Sequence, residues 1–183
     1  CMELIKVITT LILLTLSLGL NAQVNWYTFE EAFEAQKIDP KPIMVDAYTI
    51  WCGPCKLLDK NTFGNKDVSD YLNENFYPVK FNAEGNEVVR FEGKVYDNPN
   101  YDPKRAKTRN NSHNLTRYLG VSGYPTLVFF DKDGNYITPV VGYINPKQIE
   151  IYLKLIYEQD YLEFKTADDF TAYIKAFKNQ FKI

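Results

Sequence analysis

Apolar runs of strand length alternate with amphipathic runs of helix length along this chain, and their order predicts a mixed α/β domain. Residues 42–48, Pro-Ile-Met-Val-Asp-Ala-Tyr, are apolar almost throughout and read as a buried strand. Ahead of them, Thr28 and Glu31 have the spacing of a capping box, and a helix follows over 28–36 before Asp39-Pro40-Lys41-Pro42 ends it. Residues 56–60 have helical composition, with a break expected near Thr62-Phe63-Gly64. A second helix over 66–74 places Val68, Tyr71 and Leu72 on one face. Residues 76–81 predict the next strand, with Pro78 marking its start or a bulge.

From 84 to 114 the periodicity dissolves. Asn98-Pro99-Asn100 and Asp102-Pro103 are turn signals, and Lys94, Lys104, Arg105, Lys107 and Arg109 concentrate positive charge. The stretch reads as a solvated insertion, with a partner-docking or lid element as the alternative. Beyond it come a short helix over 115–119, a strongly apolar strand over 125–130, a turn at Asp131-Lys132-Asp133-Gly134 and an antiparallel partner over 136–141. Asn145-Pro146 then starts a helix lined by Ile149, Tyr152, Leu153 and Ile156. A final helix from Thr166, with Asp169 in the capping-box position, carries Phe170, Ile174, Phe177 and Phe181 as a stripe expected to pack on the domain's flank.

The first residues have a different character. Lys6 precedes a short apolar stretch over 7–20, and Asn21-Ala22-Gln23 offers a cleavage point after a small residue, so 1–22 is expected to be a signal peptide rather than part of the fold. The stretch is short for a bilayer span, and no stable membrane insertion is expected after cleavage; Leu20 is large for its place before the cut, and an uncleaved anchor is the alternative. This divides the chain into a leader over 1–22, a domain over 23–160 and a helical extension over 161–183. Cys1 precedes the apolar stretch instead of following it, as a lipid-modified cysteine would, and is given no function.

Composition narrows the functional classes. Of the 183 residues, 45% are hydrophobic and 15% aromatic, which suits a packed domain and excludes a disordered chain. A formal charge of −2 supplies no field that would recruit nucleic acid or an anionic membrane.

The candidate chemistry lies in Trp51-Cys52-Gly53-Pro54-Cys55-Lys56, where the first strand turns into a helix. A helix start leaves backbone N–H groups unpaired and favours an anion, so a thiolate at Cys52 would be stabilised there. Cys55 lies one turn further along the same face and can reach Cys52, while Pro54 is tolerated in a first turn. Other readings compete. A zinc site needs about four ligands, and beyond this pair the chain offers only Cys1 and His113. A structural staple over so short a loop removes little unfolded-state entropy, and the pair could also be coincidence. Redox exchange is the reading preferred, the more so outside the cytoplasm, where free thiols are a liability.

The order of elements and the hexapeptide resemble the thioredoxin family, over roughly residues 28–157. The resemblance implies a thioredoxin-like fold: a central mixed β-sheet flanked by helices, here with an insertion at about 84–114, before the strand that follows the family's cis-proline, and an extra C-terminal helix. It implies that Asp46 is the family's buried acid, with a raised pKa, able to relay the proton of Cys55, and that Lys80 is the lysine paired with it. The plain alternatives are a strand-end carboxylate open to water and an edge lysine. Tyr124-Pro125-Thr126 matches the segment that faces the disulfide across a cis peptide, and Gly142 a glycine near that surface. Trp51, Gly53, Pro54, Tyr124, Pro125 and Gly142 are thus the expected substrate-binding residues, and Cys52, Cys55, Asp46 and Lys80 the catalytic ones.

No metal or other cofactor is implied. Gly-Pro between the cysteines resembles reductases, so the expected activity is reduction of disulfides in exported, periplasmic proteins, with electrons supplied by a membrane donor; the surroundings of the pair can shift its potential, so oxidase or isomerase activity stays open. A thioredoxin-fold binding or assembly module that docks through the insertion, and a dedicated reductant in cytochrome c maturation, are the alternatives.

Overall fold

The computed structural model describes residues 23–182, so the expected signal peptide over 1–22 lies outside the described residues. A four-stranded sheet in the order β2-β1-β5-β6 organises the chain. Strand β1 (Ile43–Tyr48) runs parallel to β2 (Tyr77–Asn82) and antiparallel to β5 (Thr126–Phe130), which in turn pairs antiparallel with β6 (Tyr136–Val141). This is the mixed sheet the sequence predicts. Pro78 sits near the start of β2, and Tyr27 extends the far side of that strand by a bridge to Val79.

Strand alternation divides the core between the two faces. Ile43, Val45 and Ala47 of β1, with Val79 and Phe81 of β2, face helix α1 (Phe29–Ile38), whose capping box at Thr28 and Glu31 forms as expected. Met44, with Leu127 and Phe129 of β5, faces helix α2 (Gly53–Leu57), its π-helical continuation Leu58–Phe63, and helix α3 (Lys66–Asn75). The same side is closed by the later helix α5 (Pro146–Tyr157), through Ile149 and Leu153. Gly64 stops the π-helical turn where the chain must pass close to itself: a Cβ there would meet the Lys60 carbonyl oxygen at 2.5 Å.

Two expectations are corrected. The 84–114 insertion is not a bare solvated loop. It contains a hairpin of β3 (Val89–Phe91) and β4 (Lys94–Tyr96), turned at Glu92 and Gly93 with φ of 50° and 71°. Phe91 is buried against Phe29, Phe33 and Phe130, so the insertion completes one half of the core before leading into helix α4 (Asn114–Tyr118).

The second correction concerns the C-terminal stripe. Helix α6 (Ala167–Ala176) ends before Phe177, buries no residue fully, and leaves Ile174 exposed. Its Phe170 rests on Tyr152 and Phe164. Phe181, from beyond the helix, enters the core beside Tyr71. The buried carboxylate of Glu150 holds that tail, accepting from the backbone N–H of Gln180 at 2.8 Å and of Phe181 at 3.0 Å.

Candidate active site

Strand β1 delivers the chain to Thr49, whose carbonyl accepts from the Cys52 N–H at 3.2 Å, and Cys52 becomes the N-cap of α2. Its sulfur accepts from the Cys55 N–H at 3.1 Å, so one of the unpaired amides at the helix start is spent on this atom. Cys52 and Cys55 are joined by a disulfide, with Cα atoms 5.3 Å apart. Both cysteines are buried, at 2% and 1% exposed, while Gly53 and Pro54 are exposed.

Trp51, Cys52, Gly53, Pro54 and Tyr124 line one open groove of about 550 Å³. The Trp51 and Tyr124 rings meet edge to face with centroids 6.0 Å apart. The Tyr124–Pro125 peptide is cis, as the resemblance implies. Pro125 is buried, and its carbonyl oxygen accepts from the Gly142 N–H at 2.8 Å. Neither Pro125 nor the half-exposed Gly142 is among the residues that line the groove.

Asp46 and Lys80 are brought together by register. They are directly paired across β1 and β2 on the face that carries α2, and Lys80 Nζ lies 2.6 Å from Asp46 Oδ2. Asp46 is fully buried, which removes the alternative of a strand-end carboxylate open to water, and its Oδ1 has no hydrogen-bond partner among the described residues. Burial pushes its pKa up from 3.8 to about 6; the charge and hydrogen bond of Lys80 pull against that, and the charge of Asp59 adds to it. Burial also penalises the Lys80 ammonium, but the two carboxylates outweigh it and its pKa lies above the ordinary value. The Lys80 ammonium lies 4.7 Å from the ring centroid of Trp26 and 4.9 Å from that of Tyr48.

Three further residues belong to this picture: Asp59 and Glu84 were given no role from sequence, and Arg109 was named only among the basic residues of the insertion. Asp59 pairs with Lys80 from the π-helical turn, at the edge of a shallow recess of about 210 Å³ that both residues line. Its position four residues after Cys55 was the available signal. Glu84 Oε2 accepts from the Trp51 indole N–H and from the Asn110 N–H, each at 2.7 Å. Arg109 lies over the Trp51 ring, its guanidinium carbon 4.4 Å from the centroid. Both were visible only as the first acid and the last base of the insertion. His113 is committed to structure: Nδ1 accepts from the Leu115 N–H at 3.1 Å and Nε2 donates to the Glu87 carbonyl at 2.8 Å.

A mixed sheet in this order, with a cysteine pair at the helix that follows its first strand and a cis proline before β5, defines the thiol-disulfide oxidoreductases of thioredoxin fold. Residues 29–156 match the family described as a thioredoxin-like domain, and the chain belongs to that family. Over 117 residues it is 29% identical to the thiol:disulfide interchange protein DsbD of Pectobacterium atrosepticum, covering 63% of this chain but only 16% of that protein's length. It is 26% identical to a thioredoxin of Acidithiobacillus ferridurans over 69% of this chain and 91% of the relative. Among solved structures, a thioredoxin-fold protein from Helicobacter pylori superposes with a TM-score of 0.60 at 23% identity, covering 86% of this chain and 93% of that one, a likeness of fold alone.

Proposed function

We propose that the protein reduces disulfides of exported proteins through Cys52 and Cys55 and is itself re-reduced by a membrane electron carrier. The observation that carries the reading is the bonded cysteine pair at a helix start, with Cys52 on an open groove and Cys55 buried behind it, where an anionic Cys52 sulfur finds an unpaired backbone N–H. In the reduced protein, the Cys52 thiolate attacks a substrate disulfide, forming a mixed disulfide and expelling one substrate thiolate. Cys55 gives its proton to Asp46 and attacks the Cys52 sulfur. The intramolecular disulfide forms, the second substrate thiolate leaves, and two electrons have passed to the substrate. A carboxylate with a pKa of about 6 suits that proton transfer near neutral pH. Lys80 holds the carboxylate in place, Trp51, Gly53, Pro54 and Tyr124 shape the docking surface, and Pro125 and Gly142 support it.

The leader over 1–22, the boundaries of the domain at 23–160 and the extension at 161–183 belong to the same proposal, as does a periplasmic location. Among the described residues no helix is long and apolar enough to cross a membrane. Thiol:disulfide interchange, the activity in the DsbD relatives' name, fits this assignment. A redox titration of the protein against glutathione, paired with a turbidity assay of disulfide reduction, tests it. A reducing potential with turnover that Cys52→Ser abolishes is expected. An oxidising potential, or no turnover, overturns the reductase.

A further inference from the structure

The groove beside the disulfide has one wall that comes from the insertion, and that wall carries a cation with no ion-pair partner among the described residues. Arg109 and Glu84 line the groove together with Trp51, Cys52 and Tyr124. Their charges are used differently. Glu84 is buried, and its Oε2 is committed to two N–H donors, the Trp51 indole and the Asn110 amide. Arg109 is exposed, and none of the ion pairs among the described residues uses it.

Geometry decides what that guanidinium is free to do. It lies 4.4 Å over the Trp51 ring, an arrangement that steadies the cation on the aromatic face. A guanidinium presents its five N–H donors around the edge of its plane, in a fork that matches a carboxylate. The residue under it, Trp51, is the neighbour of Cys52 in the chain, so a carboxylate held by Arg109 belongs to the same stretch of substrate as the reacting sulfur.

We infer that Arg109 selects substrates by binding an acidic side chain, Asp or Glu, within about two residues of the substrate cysteine, roughly 7 Å of extended chain. The occupant is an extended segment of an oxidised protein lying in the groove. This rests on the reductase reading and adds to it a substrate class. Arg109 is a specificity determinant and takes no part in the exchange of sulfur bonds.

The test uses disulfide-linked peptides, identical except for Glu, Gln or Lys at each of the positions flanking the cysteine, with glutathione disulfide as a small carboxylate-bearing comparator. Steady-state reduction by the full protein gives kcat/KM. The Cys55→Ser protein, which traps the mixed disulfide, gives capture at equilibrium without turnover. The Glu peptide is expected to exceed its Gln counterpart by about threefold to tenfold, mostly in KM, at low ionic strength, with the Lys peptide poorest. The Glu:Gln ratio should fall toward one in Arg109→Gln, survive in part in Arg109→Lys, and shrink in high salt. A ratio of one in the unaltered protein, or a preference that persists in Arg109→Gln, overturns the inference while leaving the reductase intact. An Arg109-dependent preference for glutathione disulfide without one among peptides overturns the peptide as occupant. Failure to reduce or trap any peptide removes the reductase and the selectivity together.

Discussion

Asp46 makes the protein's stability depend on pH with a sign opposite to that of an ordinary surface carboxylate. It is fully buried, one oxygen has no hydrogen-bond partner among the described residues, and the other holds Lys80 at 2.6 Å. Its pKa in the fold is about 6 against 3.8 for a free side chain. Between those values the native state binds more protons than the unfolded one, so stability falls as pH rises through the window. At 1.36 kcal/mol per pH unit the gap amounts to about 3 kcal/mol by neutral pH, with the influence of Lys80 already contained in the shift. Asp46→Asn keeps the shape and removes the ionisation. Urea denaturation of the oxidised protein, followed by tryptophan fluorescence at several pH values, isolates the effect. The difference in unfolding free energy, variant minus unaltered protein, should grow by about 3 kcal/mol from pH 3.5 to 7.5, whatever constant offset the lost Lys80 contact leaves. A difference that stays flat across that range would mean that Asp46 ionises as a solvated carboxylate does, and the relay assigned to it would fall.

Three other outcomes follow from the packing. Asp59→Asn removes a charge that raises the Asp46 pKa and leaves Lys80 to Asp46 alone, so the Asp46 midpoint, read by carboxyl NMR, should move below about 6; a move upward contradicts the electrostatics. Glu150 has a pKa below its ordinary value: burial would raise it, but the Phe181 N–H, the Asn179 side chain and the Gln180 N–H outweigh that. The tail it holds should therefore be secure above pH 4.5 and loosen as pH falls through the lowered value. Glu150→Gln should accelerate hydrogen exchange at Gln180 and Phe181 by about tenfold or more, and unchanged exchange rules out the latch. Phe91→Ala should cost about 3–5 kcal/mol in urea denaturation, whereas a cost under about 1 kcal/mol would mean the hairpin is an appendage.

What the sequence made legible was whatever rests on strand alternation and on local chemistry. The apolar runs at 43–48 and 126–130 are strands because both of their faces are buried, and Cys52 heads a helix because Gly53 and Pro54 suit a first turn. Pairing Asp46 with Lys80 required the parallel register of β1 and β2, which the family resemblance supplied and local pattern could not. The β3–β4 hairpin escaped notice because each strand has three residues and its turn is Glu-Gly instead of the more telling Asn-Gly or Asp-Gly. The stripe from Phe170 to Phe181 misled for a different reason. Phe181 keeps an apparent helical spacing but reaches the core from an irregular tail, which Glu150 holds by two backbone contacts from another helix.

The insertion's polar residues matter more for placing Arg109 than its charge does. Asn98 donates to the carbonyls of Gly85 and Asn111, at 2.9 and 2.7 Å, and so ties the beginning of the segment to its end. Asn110 donates to the Asp102 carbonyl at 2.9 Å and accepts from the Asp102 N–H at 3.0 Å, while its own N–H is held by Glu84. Asn98 and Asn110 are buried, so releasing any of these contacts without water would leave an unpaired polar group at a cost of about 1–3 kcal/mol. Arg109 is the next residue in this chain of contacts, and Glu84 fixes the indole beneath it from the other side. A flexible lysine- and arginine-rich loop would offer a substrate only diffuse attraction. Here Glu84 holds both the Asn110 N–H next to Arg109 in the chain and the indole beneath the guanidinium, so the cation's backbone and the ring it rests on are placed beside the cysteine pair before any substrate arrives, which lowers the ordering cost of binding.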